Sequence, residues 1–141
     1  MTPAELLLDE TRQWLRRAHE DLQVAALTIA GGIERIAVFH CQQAAEKAMN
    51  AFLTWHQKTF GKTHNLQILR EDCERLDHSL SEVLKPADAL TDYAVQFRYP
   101  GASHDPDSEE ATAALGIAQK AYDEILRRLP AEVMPPLDRE E

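Results

Sequence analysis

The sequence predicts an all-α fold, an antiparallel up-and-down bundle of four to five helices. Long segments in which apolar residues recur at steps of three and four are typical of amphipathic helices. Short connections that contain Gly or Pro separate these segments, and no segment of useful length alternates in the manner of a strand. Because short connections make consecutive helices antiparallel, we expect a single bundle. The 141 residues suffice for one domain whose core needs neither disulfides nor metal.

Two long helices are predicted to open the chain. The first covers residues 4–30, and Gly31 with Gly32 ends it, since glycine adopts the left-handed cap conformation at low cost. Its apolar stripe consists of Leu7, Trp14, Ala18, Leu22, Ala25 and Ile29. The second covers residues 33–58 and contains neither Gly nor Pro. Its apolar positions are Ile36, Phe39, Ala44, Ala48, Ala51, Phe52 and Trp55.

Shorter helices are predicted in the second half of the chain. The third covers residues 66–76, and Thr63 or Asn65 can cap it. The fourth follows a turn and runs through residues 78–98, because Pro86 is tolerated in the first turn of its main part.

A capping pattern predicts the start of the fifth helix. Asp107 precedes Glu110 by three residues, which is the spacing of a capping box. The helical bundle is predicted to occupy residues 1–129. Residues 130–141 are proline-rich and acidic, and we predict that they form a flexible tail.

The charge distribution limits the kinds of partner. A net charge of −9 argues against a protein whose entire surface binds nucleic acid, although a local basic patch remains compatible with it. A positive strip would require the first and last helices to pack together, which would combine Arg12, Arg16, Arg17, Arg127 and Arg128. Three acidic residues would neutralise that strip: Glu20, Asp21 and Glu124. We interpret this face as a solvated surface of mixed charge.

The sequence indicates a cytoplasmic protein. Cys41 and Cys73 are too few for a disulfide framework, and both lie in predicted helices where a reduced apolar side chain is usual. No signal-peptide pattern opens the chain, and no apolar run has the length of a membrane span, so we expect no membrane partner.

Polar residues of the second helix form rows beside its apolar positions. His40 and Lys47 are seven residues apart and nearly eclipsed, and Gln43 with Glu46 can form a neighbouring row. Such groups either bond to neighbouring helices or present a site. The chain lacks the spacings HExxH, CxxC and ExxH, as well as a Walker or GxGxxG loop. We therefore predict no metal and no cofactor.

Four segments together resemble the HEPN domain family. They are "FHCQQAAEKAMNAFL", "KTHNL", "YAVQFRYPG" and "DPDSEEA", and the resemblance covers residues 8–128. It implies a helical bundle that usually dimerises. It also implies a partnership with a minimal nucleotidyltransferase protein, encoded by a neighbouring gene, in a toxin and antitoxin pair.

The resemblance also implies candidate site residues. Many members of the family are metal-independent ribonucleases that use an Arg and a His separated by four to six residues, from both subunits of a dimer. Arg98 and His104, with five residues between them, match that spacing. A histidine can act as acid or base on a ribose hydroxyl or a leaving oxygen, and an arginine can bind phosphate through two parallel hydrogen bonds.

Two departures from the ribonuclease pattern keep other interpretations open. Tyr99 and Pro100 follow the arginine, where active members commonly have a small polar residue, and "RYP" looks like the nucleotide-binding branch of the family. Pro106 occupies the place of a tyrosine that accepts adenylyl groups in nucleotidyltransferase-paired toxins. Alternatively, Arg98 interacts with the end of the fourth helix, and His104 is a loop residue.

The prediction is a homodimeric HEPN protein of a prokaryotic toxin and antitoxin module that binds nucleotide or RNA. As a metal-independent endoribonuclease it would use Arg98 and His104. As a non-catalytic nucleotide-binding or interaction subunit for the nucleotidyltransferase, it would contact nucleotide through His40, Lys47, Arg98 and Tyr99.

Overall fold

Two long antiparallel helices form the centre of the fold. In the computed structural model, which describes residues 1–96 and 105–134, α1 spans Pro3–Ala30 and α2 spans Glu34–Trp55. The two helices pack along much of their length. Between them Gly32 has a φ of 77°, a backbone conformation that residues other than glycine rarely adopt. A two-residue glycine turn therefore reverses the chain, as its sequence predicts.

Four further α-helices pack around this pair. They are α3 (Leu66–Leu76), α4 (Leu80–Leu84), α5 (Tyr93–Gln96) and α6 (Ser108–Arg127). Helix α6 packs on both α2 and α1, and α3 packs on α2. The described residues contain no strand, which confirms the predicted all-α helical bundle.

The predicted continuous fourth helix is wrong. The segment instead consists of α4, a 3₁₀-helix at Lys85–Leu90 and α5. Pro86 has no N–H to continue an α-helix from α4, and its ring would clash with the carbonyl group four residues earlier. It is tolerated in the first turn of the 3₁₀-helix. The chain therefore changes helix type at this proline.

Side-chain caps fix where two helices begin. Asn65 Oδ1 accepts hydrogen bonds from the backbone N–H groups of Gln67 and Ile68, so Asn65 caps α3. Asp107 Oδ1 accepts from Glu110 N at 2.8 Å and caps α6. The Glu110 carboxylate, however, accepts a hydrogen bond from the Tyr93 hydroxyl. Only the Asp107 half of the predicted capping box is therefore seen, and Glu110 connects α6 to α5.

Small side chains allow the central helices to approach closely. The alanines of this interface are fully or nearly fully buried: Ala18, Ala25, Ala37, Ala44, Ala45, Ala48, Ala51, Ala111, Ala114, Ala118 and Ala121. Larger buried side chains fill the remaining core, among them Leu15, Met49, Phe52, Leu53, Leu66 and Leu69. Leu15 was absent from the predicted stripe of α1, whereas the predicted Leu7, Trp14 and Ile29 are only half-buried.

The packed chain continues past residue 129. A 3₁₀-helix at Ala131–Val133 follows α6, and Val133 is completely buried. The Arg12 guanidinium of α1 donates from Nε to the Glu132 carbonyl at 3.0 Å. Part of the segment predicted to be a flexible tail therefore packs against the bundle, and residues 135–141 lie outside the described residues. Over the described ranges, none of the helices combines the length and the apolar character that crossing a membrane requires.

Candidate functional site

An acidic side chain of α1 holds two polar side chains of α2. Asp21 Oδ1 lies 2.7 Å from His40 Nδ1, and Asp21 Oδ2 lies 2.7 Å from Lys47 Nζ. The Asp21 side chain is 8% exposed, whereas those of His40 and Lys47 keep 27% and 23% of their surface exposed. We call these three residues the Asp21 cluster. It contains two predicted site residues, His40 and Lys47, and a third residue, Asp21, that was not predicted to belong to a site.

The Asp21 cluster fixes the chemistry of its imidazole. A carboxylate can only accept, so a neutral His40 ring donates from Nδ1 and presents a lone pair at Nε2. Within residues 1–96 and 105–134, Nε2 has no hydrogen-bond partner. Lys47 balances the charge of the buried carboxylate. The cluster can therefore hold the ring in one orientation while Nε2 accepts a proton from a ligand.

A side-chain hydrogen bond joins α5 to α6. The Tyr93 hydroxyl of α5 donates to Glu110 of α6. Helix α5 packs on α2. Burial and the hydrogen bond to Glu110 raise the pKa of Tyr93, so Tyr93 stays neutral at ordinary pH. Tyr93 and Glu110, which lie in the described chain on either side of residues 97–104, are therefore in contact.

The segment around Arg98 carries three of the predicted site residues. Arg98, Tyr99 and His104 lie outside the described residues. Their assembly with His40 and Lys47 stays a prediction.

The second polar row of α2 has a structural partner. Glu46 Oε1 lies 2.9 Å from His64 Nδ1 and accepts from Gln42 Nε2 at 3.0 Å. The same Gln42 nitrogen donates to the His64 carbonyl at 3.0 Å. These bonds hold the connection before α3 against α2. Glu46 therefore has a structural role between α2 and the connection before α3, whereas His40 and Lys47 face α1.

A cleft between α1 and α2 opens next to Lys47. Its volume is about 510 Å³. Its walls are formed by Glu10, Gln13, Trp14 and Arg17 of α1 with Lys47 and Thr54 of α2. Lys47 therefore belongs both to the Asp21 cluster and to the wall of this cleft. The cleft was not predicted from the sequence.

The arginines that a positive strip would have combined have separate partners, in keeping with the interpretation of a surface of mixed charge. Arg12 bonds to the Glu132 carbonyl, while Arg127 and Arg128 both pair with Glu124. Asp21 does not neutralise the strip, because its two oxygens are taken by His40 and Lys47. The sequence contains a signal that Asp21 pairs with other side chains. Asp21 lies seven residues after Trp14, within the apolar stripe of α1, where an ionised side chain requires a partner.

Comparisons with known proteins identify the family. The crystal structure of TT1696 from Thermus thermophilus resembles this chain with a TM-score of 0.70 and 29% sequence identity. That similarity covers 84% of this chain and 98% of the other. Among curated proteins, none matches. The family model described as HEPN domain matches residues 11–129, which include most of α1 and all of α2 to α6, and the chain therefore belongs to the HEPN domain family.

Proposed function

We propose that the chain is the HEPN subunit of a prokaryotic toxin and antitoxin module, binding nucleotide or RNA beside a minimal nucleotidyltransferase from a neighbouring gene. The family match over residues 11–129 carries the proposal, since a HEPN domain indicates a nucleotide- or RNA-related function. A cytoplasmic homodimer is part of the proposal. The spacing of Arg98 and His104 matches that of metal-independent ribonucleases in the family, so one form of the proposal includes RNA cleavage without metal.

In the ribonuclease form of the proposal, Arg98 binds the phosphate through paired hydrogen bonds, and His104 transfers the proton. His40 and Lys47 support this form because Asp21 holds both of them while each keeps part of its side-chain surface exposed. Tyr99 supplies a further contact to the nucleotide. No step in this chemistry requires a metal ion.

A non-catalytic nucleotide-binding or interaction subunit is the second candidate. The sequence "RYP" and Pro106 favour it, because both depart from the pattern of ribonuclease members. In this form Arg98, Tyr99, His40 and Lys47 contact nucleotide, and His104 has no role. The nucleotidyltransferase should then co-purify with the His104→Ala variant as well as with the unchanged chain.

Growth and RNA cleavage separate the two candidates. We expect induction of the chain to stop growth in cells that lack the neighbouring gene, and co-expression of that gene to restore it. Purified protein in excess chelator should cleave RNA, and Arg98→Ala or His104→Ala should lower the rate at least about 100-fold, the usual contribution of an acid or base.

Matched variants at exposed positions serve as controls. Arg35→Ala and His78→Ala remove the same side-chain types from α2 and from the turn before α4, and both residues are exposed. They should retain toxicity and cleavage. The ribonuclease form would be refuted if RNA stayed intact at high protein excess and if cells that express Arg98→Ala or His104→Ala grew like cells that express the unchanged chain. Failure to co-purify with the nucleotidyltransferase would count against both candidates.

A further inference from the structure

The cleft between α1 and α2 has the dimensions of a small-molecule site. Its volume of about 510 Å³ lies within the range of ligand pockets, roughly 300–1,000 Å³. Among the described residues, four that line it come from α1 and two from α2. Because both walls belong to the longest helices of the fold, the cleft is supported by rigid elements.

One wall of the cleft carries an aromatic ring suited to stacking. Trp14 is half-buried, so part of its indole remains accessible. The Phe60 ring approaches it edge-on, with 6.2 Å between ring centroids and an interplanar angle of 62°. This contact limits how the indole can turn. Any planar nucleobase can stack on such a ring, whatever the nucleotide sequence around it.

Two cations stand on opposite walls of the cleft. Arg17 is exposed and forms no ion pair with any described residue. Lys47 is fixed by Asp21 at 2.7 Å and still keeps 23% of its side-chain surface exposed. A guanidinium that lacks a protein partner can bind a phosphate through two parallel hydrogen bonds, and an ammonium can add a third.

The α1 wall also offers acceptors. Gln13 donates from Nε2 to Asp9 Oδ2 at 2.7 Å, which leaves its carbonyl oxygen as an acceptor. Glu10 adds a carboxylate. Acceptors of this kind match the amino groups of guanine, adenine and cytosine, which uracil lacks. Guanine fits best because its pairing edge presents two adjacent donors to a single carboxylate.

We propose that this cleft binds one nucleotide unit whose base carries an amino group. The base stacks on Trp14, its donors meet Glu10 and Gln13, and its phosphate lies between Arg17 and Lys47. The inference rests on the proposed nucleotide- or RNA-binding function and gives it a second site, separate from Arg98 and His104. A free nucleotide and one nucleotide of an RNA strand share this chemistry, so the test includes both.

Tryptophan fluorescence can report on this site directly. The chain has two tryptophans, and Trp55→Phe leaves Trp14 as the sole reporter. Titration with GMP, AMP, UMP and a short single-stranded RNA should quench Trp14, with GMP bound more tightly than UMP. Tighter binding of the RNA than of GMP assigns the site to a strand, and equal or weaker binding assigns it to free nucleotide.

Variants then test the assignment by calorimetry on the full chain. Arg17→Gln should raise the Kd at least about fivefold and is suited to the test because Arg17 is exposed. Trp14→Phe retains an aromatic ring of smaller area and should raise the Kd about two- to fivefold, with folding checked by thermal melting. Arg35→Gln makes the same charge change at the far end of α2 and should leave the Kd unchanged.

The outcomes separate this site from the proposed function. Binding that survives Arg17→Gln and Trp14→Phe but is lost in Arg98→Ala overturns the cleft and leaves the proposed function intact. Binding of none of the four probes also overturns the cleft, whereas RNA cleavage and growth still decide the proposed function. UMP bound as tightly as GMP overturns the assignment of an amino-bearing base.

Discussion

Asp21 is an ionised residue in the apolar stripe of α1, and its surroundings explain how it is tolerated there. Each carboxylate oxygen has one partner at 2.7 Å, His40 or Lys47. Burying an unpaired carboxylate would cost several kcal/mol, so the pairing is a condition for folding in this form. The same bonds fix two partly exposed side chains at defined positions on α2.

Even a substitution of Asp21 that keeps its shape should therefore lower the free energy of unfolding substantially. Asp21→Asn keeps the shape but removes the charge that balances Lys47, and we expect the free energy of unfolding to fall by about 1–3 kcal/mol. Urea denaturation measures this change. Glu20→Gln, at the exposed neighbouring position, should change it by less than about 0.5 kcal/mol. Equal effects of the two substitutions would contradict the assigned role of Asp21.

Part of this cluster could be predicted from the sequence. The spacing of His40 and Lys47 on one helix face is a property of a single helix, so it could be predicted. Their pairing with Asp21 depends on how α1 and α2 are rotated against each other, and helical periodicity alone does not determine that rotation. A charged residue inside an apolar stripe indicates that a partner exists without saying which residue it is.

At the scale of elements, one arginine connects the end of α6 to the turn before α4. Arg128 donates to Glu124 Oε1 at 2.7 Å and to Ser79 Oγ at 2.7 Å. Asp77 accepts from the Ser79 backbone N–H at 3.0 Å. The hydrogen bond from Arg128 lowers the pKa of Glu124, and the bonds from Ser79 lower the pKa of Asp77.

These lowered pKa values predict acid sensitivity at the α6 terminus. A carboxyl group whose pKa is depressed by folding contributes stability that is fully present above its ordinary value, 4.5 for Glu124, and is lost as pH falls through the depressed pKa. We therefore expect Glu124→Gln to lose less stability than the unchanged chain between pH 6 and pH 3. Urea unfolding at both pH values gives the comparison.

A second carboxyl group provides the control for the acid experiment. Glu20 is exposed on α1 and forms no ion pair within the described part of the chain. Glu20→Gln should leave the pH dependence of unfolding close to that of the unchanged chain. If Glu124→Gln and Glu20→Gln gave the same pH dependence, the bond from Arg128 would not explain the acid sensitivity.

The elements differ in how well the sequence predicts them. Helices α1, α2, α3 and α6 each have 11 or more residues, so their apolar period is repeated often enough to be recognised. The region of α4 and α5 lacks that repetition. Pro86 is acceptable in the first turn of an α-helix or a 3₁₀-helix, and sequence alone does not distinguish the two.

At the scale of the whole molecule, the chain combines a net charge of −9 with a cleft that carries two cations. Electrostatic attraction of an anionic ligand must therefore be local, since the rest of the surface repels it. The cleft lies between two helices and takes residues from both, so no pattern within one helix could predict it. Packing of the whole bundle is needed to form it.

The position where the folded domain ends is a property of the whole molecule as well. Residues 131–133 were predicted to belong to a flexible tail, yet Val133 is completely buried and Glu132 is bonded to Arg12 of α1. The sequence contains little sign of this, because one valine among prolines and acidic residues forms no period. Its burial depends on how this segment packs against α1.

Truncation of this valine tests whether the chain beyond α6 contributes to stability. Val133→Ala removes two buried carbon atoms and leaves a small cavity, so we expect the free energy of unfolding to fall by about 1–3 kcal/mol. Val95→Ala makes the same change at a site that is 57% exposed and should cost less than about 0.5 kcal/mol. Urea denaturation of both variants measures the difference. A side chain that contributes to the core cannot be truncated without a loss of stability. If Val133→Ala were as stable as Val95→Ala, the cooperative domain would therefore end at residue 129, as predicted from the sequence.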